Sequence, residues 1–193
     1  MKTVGLDLAG VEKRPTGFCL LNGMQAETCD IYTDNEILTM VHSASPEVVA
    51  IDAPLSLPPG RNSIDQKTDV HLREADKELL RRHIRFFPIT LGPMRQLTKR
   101  GMNLKSILEG KGFKAIEVYP GGAQDVLGVP RKQQGLDRLR AGLKRIGLEG
   151  LRDGMSDHEL DAVTCAYVGK LFLEGRSIVY GASEAGIVMP ADP

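Results

Sequence analysis

Residues 48–51, Val-Val-Ala-Ile, are four apolar side chains in succession, ended by Asp52 and then by Ala53-Pro54. A strand with one face in water alternates apolar and polar residues. An unbroken apolar run this short, closed by a stop, describes instead a strand buried on both faces. Such strands belong to parallel sheets with helices packed on either side. The chain has 193 residues and no linker-like stretch. That length suits a sizeable core, so the expectation is a single α/β domain over residues 1–193.

Around that strand the pattern reads β-β-β-α-β, then helices, one more strand, and helices again. Residues 2–9 are a short apolar strand with Asp7 inside it, and residues 16–21 and 24–32 read as two more. Asn22-Gly23 between the latter two is a hairpin signal, so the first three strands form an antiparallel meander. Helices are expected over 33–43 (with Thr33 or Asp34 as N-cap), 69–82, 94–109 with an interruption at Gly101, 122–127, 133–146 and 156–173. In the last of these, Ser156 and Glu159 make a capping box, and Leu160, Val163, Tyr167, Val168 and Leu171 recur at helical spacing. Lys114 to Tyr119 is a fifth strand closed by Pro120-Gly121-Gly122, and Ser177 to Met189 reads as a short hairpin.

Three strands meant for the sheet carry an acid: Asp7, Asp52 and Glu117. Burying an isolated carboxylate is costly, so such groups need partners or a cation. Asp52 ends its strand on the side where open α/β sheets place their ligands. The helix 156–173 adds Asp157 and Asp161, which share a face at i,i+4, and His158. Carboxylates are hard oxygen donors suited to Mg²⁺ or Mn²⁺, and a pair of such ions activates water for phosphodiester hydrolysis. The pattern therefore nominates Asp7, Asp52, Asp157 and Asp161 as metal ligands, and Asp7, Asp52, Glu117 and Asp161 as the catalytic group. Structural roles compete at each position. Asp52 can cap a turn, Glu117 can pair with a core arginine, and Asp157 sits where a helix dipole favours any acid.

Net charge is zero but unevenly spread. Residues 61–114 hold 13 Lys+Arg against 6 Asp+Glu, whereas residues 1–60 hold 3 against 8. A basic middle suits a polyanion, and solvated helix faces are the competing explanation. Arg81 and Arg82, with Arg95, Lys99 and Arg100, are the candidate phosphate contacts. There is no Trp and aromatic content is 5%. That argues against a stacking platform for single strands and favours folded or duplex nucleic acid. No apolar run approaches the roughly 18–20 residues that span a bilayer. Asp7 interrupts what a secretory leader would continue. Cys19, Cys29 and Cys165 have no metal-binding spacing and read as reduced thiols of a cytoplasmic protein.

Gly5-Leu6-Asp7-Leu8-Ala9-Gly10, Ile51-Asp52-Ala53-Pro54-Leu55, Ile116-Glu117-Val118-Tyr119-Pro120 and Asp157-His158-Glu159-Leu160-Asp161-Ala162 resemble the signatures of an uncharacterised family of predicted nucleases with an RNase H-like fold. RuvC-type resolvases and YqgF-type domains are its wider relatives. The tail Glu184-Ala185-Gly186-Ile187 matches the family's usual ending. The resemblance implies a five-stranded mixed sheet ordered 3-2-1-4-5, flanked by helices, with a basic helical insertion at about 61–113 between strands four and five. It implies that Asp161 faces Asp7 and Asp52 from the last long helix. It also assigns Arg73 and Asp76, in Arg73-Glu74-Ala75-Asp76, to a further polar motif.

The leading reading is a nuclease dependent on Mg²⁺ or Mn²⁺, with nucleic acid as partner and Arg73, Asp76, Arg81 and Arg82 on the substrate side. The alternatives are a small-molecule phosphotransferase or phosphatase on the same acids, and a non-catalytic binding module that keeps the fold.

Overall fold

The computed structural model describes residues 1–182 and 185–191. Glu184 of the tail motif lies outside the described residues. The strands are β1 (Lys2–Asp7), β2 (Thr16–Asn22), β3 (Gln25–Ile31), β4 (Val48–Asp52), β5 (Ala115–Val118), β6 (Ser177–Tyr180) and β7 (Ile187–Pro190). The helices are α1 (Asp34–Ala44), α2 (Glu74–Arg81), α3 (Gly92–Gly110), α4 (Pro120–Val126), α5 (Leu136–Arg145) and α6 (Asp157–Leu173), with a 3₁₀ turn at Lys132–Gln134 before α5.

One sheet runs β3-β2-β1-β4-β5-β7-β6. Its first five strands take the 3-2-1-4-5 order of an RNase H-like fold. The tail hairpin β6–β7 then extends the sheet past β5, with β7 parallel to β5 and β6 antiparallel to β7. β1 pairs antiparallel with β2 and parallel with β4, so β1 is where strand direction changes. The hairpin loop falls on Gly23-Met24, with Asn22 opposite Gln25. Gly23 takes the positive φ of 65° at the first loop position, which glycine adopts at no steric cost.

β4 is fully buried from Val48 to Ile51, as its unbroken apolar run requires. Its side chains alternate between two cores. Val49 and Ile51 join Val4, Leu6, Ile37, Val41, Leu104 and Leu108, beneath α1 and α3. Val48 and Ala50 face the other way, with Cys165 and Val168 of α6. Helix α6 is itself buried almost all round, between the sheet and a cluster from α5 and its flanks that includes Leu139, Leu143 and Leu151. A helix apolar on every side belongs in the middle of a layered core.

The seating of α6 is unusually close. A Cβ on Gly5 would stand 2.0 Å from the Ala162 carbonyl oxygen and 2.4 Å from the Ala166 nitrogen. One on Gly17 would stand 2.0 Å from the His158 carbonyl oxygen. Backbone therefore lies on backbone at both places. Thr3 Oγ1 fastens the contact by donating to the Ala166 carbonyl at 2.8 Å.

Several element boundaries differ from the sequence expectation: β1 ends at Asp7 rather than running to residue 9, and α4 already begins at Pro120. α2 begins at Glu74 because Arg73 is extended, its N–H donating to Asp76 Oδ2 at 2.8 Å. α3 runs through Gly101 without interruption, and the glycine serves a close approach to Ala53 and Leu55. The helix expected from residue 133 starts at Leu136 after the 3₁₀ turn. Arg100 on α3 is 8% exposed and donates to Asp34, the Ala9 carbonyl and the Tyr32 carbonyl. It clamps the meander to α3. Its three bonds are all within the chain, whereas Arg95 and Lys99 pair with Asp65 at the surface.

Gly5→Ala should destabilise the protein by about 3 kcal/mol or more, at the upper end of overpacking costs, because the new methyl meets helix backbone. Gly110→Ala has open space around its Cβ and no positive φ, so it should change stability by less than about 1 kcal/mol. Urea melts of the two variants test the contrast; equal effects would show that α6 can shift off β1 at little cost.

Candidate functional site

Asp7 ends β1 and Asp52 ends β4, and the parallel register sets them directly side by side. Adjacent strands lie about 4.8 Å apart, so two carboxylates on one face at this position are close neighbours. Their face follows from alternation: Asp7 lies in phase with Thr3 and Gly5, and Asp52 with Val48 and Ala50, all on the α6 side. The start of α6 meets them there. Ser156 caps the helix through Glu159, which fixes its first turn and aims Asp157, His158 and Asp161 at the strand ends.

The contacts are specific. His158 Nδ1 lies 2.7 Å from Asp7 Oδ2. Asp161 is 5% exposed, and both its oxygens are engaged. Its Oδ1 accepts from Gln124 Nε2 at 2.8 Å, and its Oδ2 meets the Lys132 ammonium at 2.8 Å. Lys132 also reaches Asp157 Oδ2 at 3.1 Å. Asp52 meets Asp7 but has no direct ion pair among the described residues.

The protonation equilibria follow from these surroundings. Burial, and then the negative charges of Asp7 and Asp161, push Asp52 well above the ordinary carboxylate range. Burial also raises Asp161, against the pull of Lys132. Burial would raise Asp157 too, but the Lys132 ammonium outweighs it and the pKa is lowered. Burial alone would depress Lys132, yet Asp161, Asp7 and Asp157 together raise it. The hydrogen bond that the His158 ring donates to Asp7 raises the His158 pKa. Four carboxylates thus share two cationic partners, and the group is short of positive charge even when His158 is protonated.

Among the described residues no three His, Cys, Asp or Glu side chains stand together at metal-coordinating spacing. The donor chemistry nonetheless fits a hard cation at one place. Asp7 and Asp52 are adjacent oxygen donors with capacity to spare, and their mutual repulsion is what such a cation relieves. Beside them opens a cavity of about 290 Å³. Its lining includes Asp52, Asp161, Lys132, Arg131 and Tyr119, together with the apolar Phe86, Phe87 and Met94.

Glu117 is not brought into this group. It stands opposite Ile51 in the register, one residue out of phase with Asp52, so it leaves the sheet on the opposite face. There it accepts from Arg73 Nη1 at 2.7 Å and from the Leu55 N–H at 2.7 Å. Burial raises its pKa against the pull of Arg73. Arg73 pairs also with Asp76 at 2.9 Å, and all three residues are buried. This triad lines the cavity from its far side. Arg81 is exposed and pairs with Glu78, while Arg82 shares Glu78 and lies over the Tyr180 ring. Neither lines the cavity.

Lys132 and Gln124 belong to the site geometry without having been nominated by the sequence. Lys132 lies in a three-residue turn and Gln124 in a short helix, and no periodicity marks either.

A family model described as "Protein of unknown function (DUF429)" matches residues 5–185. A comparison with curated proteins returns no match. Among solved structures, one described as "T. thermophilus RuvC in complex with Holliday junction substrate" aligns with a TM-score of 0.52 at 13% identity, over 91% of this chain and 96% of that one. A second, "Thermus thermophilus RuvC structure", aligns with a TM-score of 0.51 at 13% identity, over 98% of this chain and 100% of that one. At this identity the likeness establishes the fold, an RNase H-like one.

Two measurements follow from the charge arrangement. Asp52 holds its proton more tightly folded than unfolded, so its contribution to stability falls as pH rises above the unfolded value of about 3.9. In metal-free buffer Asp52→Asn should raise the melting temperature at neutral pH, and should change little at about pH 3, where the acid is protonated in both states. A lower melting temperature at neutral pH would contradict this. Arg73→Ala leaves Glu117 and Asp76 buried without their cation and should cost about 3–5 kcal/mol in urea denaturation. A loss under about 1 kcal/mol would mean the triad is open to water.

Proposed function

The chain belongs to the DUF429 family, and from its paired strand-end carboxylates we propose that it is a divalent-metal-dependent hydrolase of phosphodiester bonds, a nuclease using Mg²⁺ or Mn²⁺. The observation that carries this reading is the side-by-side register of Asp7 and Asp52 at the C-terminal ends of adjacent parallel strands, beside a cavity whose lining includes Arg131 and Lys132. The fold shared with the RuvC structures supports it, since a nucleic-acid junction is the substrate named for one of them.

In this reading Asp7 and Asp52 hold the ion, and Asp157 and Asp161 are the nearest further acids. A bound hard cation would polarise water and stabilise charge developing on phosphate oxygens. The chain's own residues do the rest. Arg131 and Lys132 meet the phosphate from the cavity side. Arg131 is oriented by Asp125 and by the Tyr119 hydroxyl at 3.3 Å, so its guanidinium is pre-set. Asp7 holds the His158 ring through Nδ1, and Nε2 faces Asp157 Oδ1 at 3.9 Å, so the ring stands between two carboxylates at the mouth of the site. Arg73 and Asp76 act through Glu117, keeping the Leu55 backbone and the cavity wall in place. Arg81 at the end of α2 and Arg82 just after it add exposed positive charge for a long anionic substrate.

A second reading is a phosphatase of small phosphoesters, favoured by the cavity's confined volume of about 290 Å³ and its apolar wall. The same assay separates the two. Purified protein with Mn²⁺ is offered duplex, junction and RNA–DNA hybrid substrates alongside small phosphoesters.

Nuclease activity should fall by about 10³-fold or more in Asp7→Asn, the scale expected when a group that stabilises transition-state charge is lost. The core residues Val4 and Leu6 are untouched, so the melting temperature should hold or rise. Mn²⁺ should raise the melting temperature of the wild type and not that of Asp7→Asn, because a ligand bound only to the folded state stabilises it. Cleavage at full rate in Asp7→Asn would sink the proposal.

A further inference from the structure

We propose that Lys132 is a tethered cation occupying one of the positive-charge positions of the acidic group, so that the site takes a single divalent ion, between Asp7 and Asp52. The inference rests on the metal-site reading above and sets its stoichiometry. An all-carboxylate cluster of this kind has room for two hard cations when every acid is free. Here the acids divide into two pairs. Asp157 and Asp161 both grip the Lys132 ammonium, at 3.1 Å and 2.8 Å. The second oxygen of Asp161 accepts from Gln124 at 2.8 Å, so each oxygen of this carboxylate already has a partner and the pair with Lys132 is held in place. Asp7 and Asp52 keep each other as neighbours, with His158 on one oxygen of Asp7.

An ammonium is a compact point charge on a flexible stem, suited to stand where a metal ion otherwise would. Its position is built rather than incidental. Lys132 enters from a turn between α4 and α5, and two acids one helical turn apart on α6 close on it. It also lines the cavity with Asp52 and Asp161, so a phosphate bound at the Asp7–Asp52 position would lie within its reach. The ammonium would then supply the second positive charge that a second metal supplies elsewhere. It would also make the site's demand for free metal that of a single ion.

Mn²⁺ titration of the wild type by calorimetry, with the bound ion counted by electron paramagnetic resonance, reads this directly. One ion per chain is expected. Lys132→Met keeps the stem and removes the charge, and it should bind a second ion or bind the first about tenfold more tightly, the effect of one lost like-charge interaction worth about 1.4 kcal/mol. Lys132→Arg should return the count to one. Two ions in the wild type would overturn the inference and leave the metal site standing. An unchanged count and affinity in Lys132→Met would do the same. No binding in any form would remove both this inference and the proposed function. Should Lys132→Met fail to fold, Lys132→Gln takes its place, and the wild-type count alone still decides against a two-ion site.

Discussion

The contact between α6 and the first two strands is the constraint on which the rest of the molecule depends. Helices ordinarily stand about 10 Å from a sheet, held off by side chains. At Gly5 and Gly17 that spacing collapses, and the helix backbone rests on the strands. The helix is buried on nearly every side as a result, and its first turns are pressed against the ends of β1 and β4. The acids of α6 reach those of the strands only because two glycines remove the side chains that would have kept them apart. The motif Gly5-Leu6-Asp7 thus combines a packing requirement and a charge requirement two residues apart, on the same face of one strand.

Among the described residues, two of the buried charge systems lie on opposite faces of the sheet, and they are solved differently. On the α3 side, Arg73 stands between Glu117 at 2.7 Å and Asp76 at 2.9 Å, and Glu117 also takes a backbone N–H. That system is nearly complete in itself. On the α6 side, Asp52 has no ion pair among the described residues, and the negative charges of Asp7 and Asp161 fall on it. A satisfied network stiffens a wall, whereas an unsatisfied one is poised for something from outside. The cavity touches both, through Glu117 and Arg73 on one side and Asp52 and Asp161 on the other.

Much of this was legible in the residues. The apolar run at 48–51 gave a strand buried on both faces, and the capping residues Thr33 and Ser156 marked two helix starts correctly. Asp7 and Asp52 stood out as acids in apolar strands, and their adjacency followed from the strand order that the family resemblance implies. Glu117 looked equivalent because it too lies in an apolar strand. A period of two sends alternate residues to opposite faces, and its register against Ile51 rather than Asp52 was not visible before the strands were aligned. Gly101 read as an interruption because propensity treats glycine as a breaker, whereas here its missing side chain makes room for Ala53. Lys132 and Gln124 were out of reach for another reason. Their role comes from a tertiary contact with α6, and nothing within their own short segments records it.

Glu159 has a further consequence. It caps α6, and it also accepts from Thr28 on β3 at 2.8 Å and pairs with Arg152. The start of the helix is therefore bolted to the sheet edge, two residues from both Asp157 and Asp161. Across from it, the Lys132–Gln134 turn buries no side chain. The site is built like a vice with one fixed jaw. The acids of the strands and helix hold their spacing whatever enters, and any adjustment to fit a guest falls to the opposite jaw, which carries the lysine.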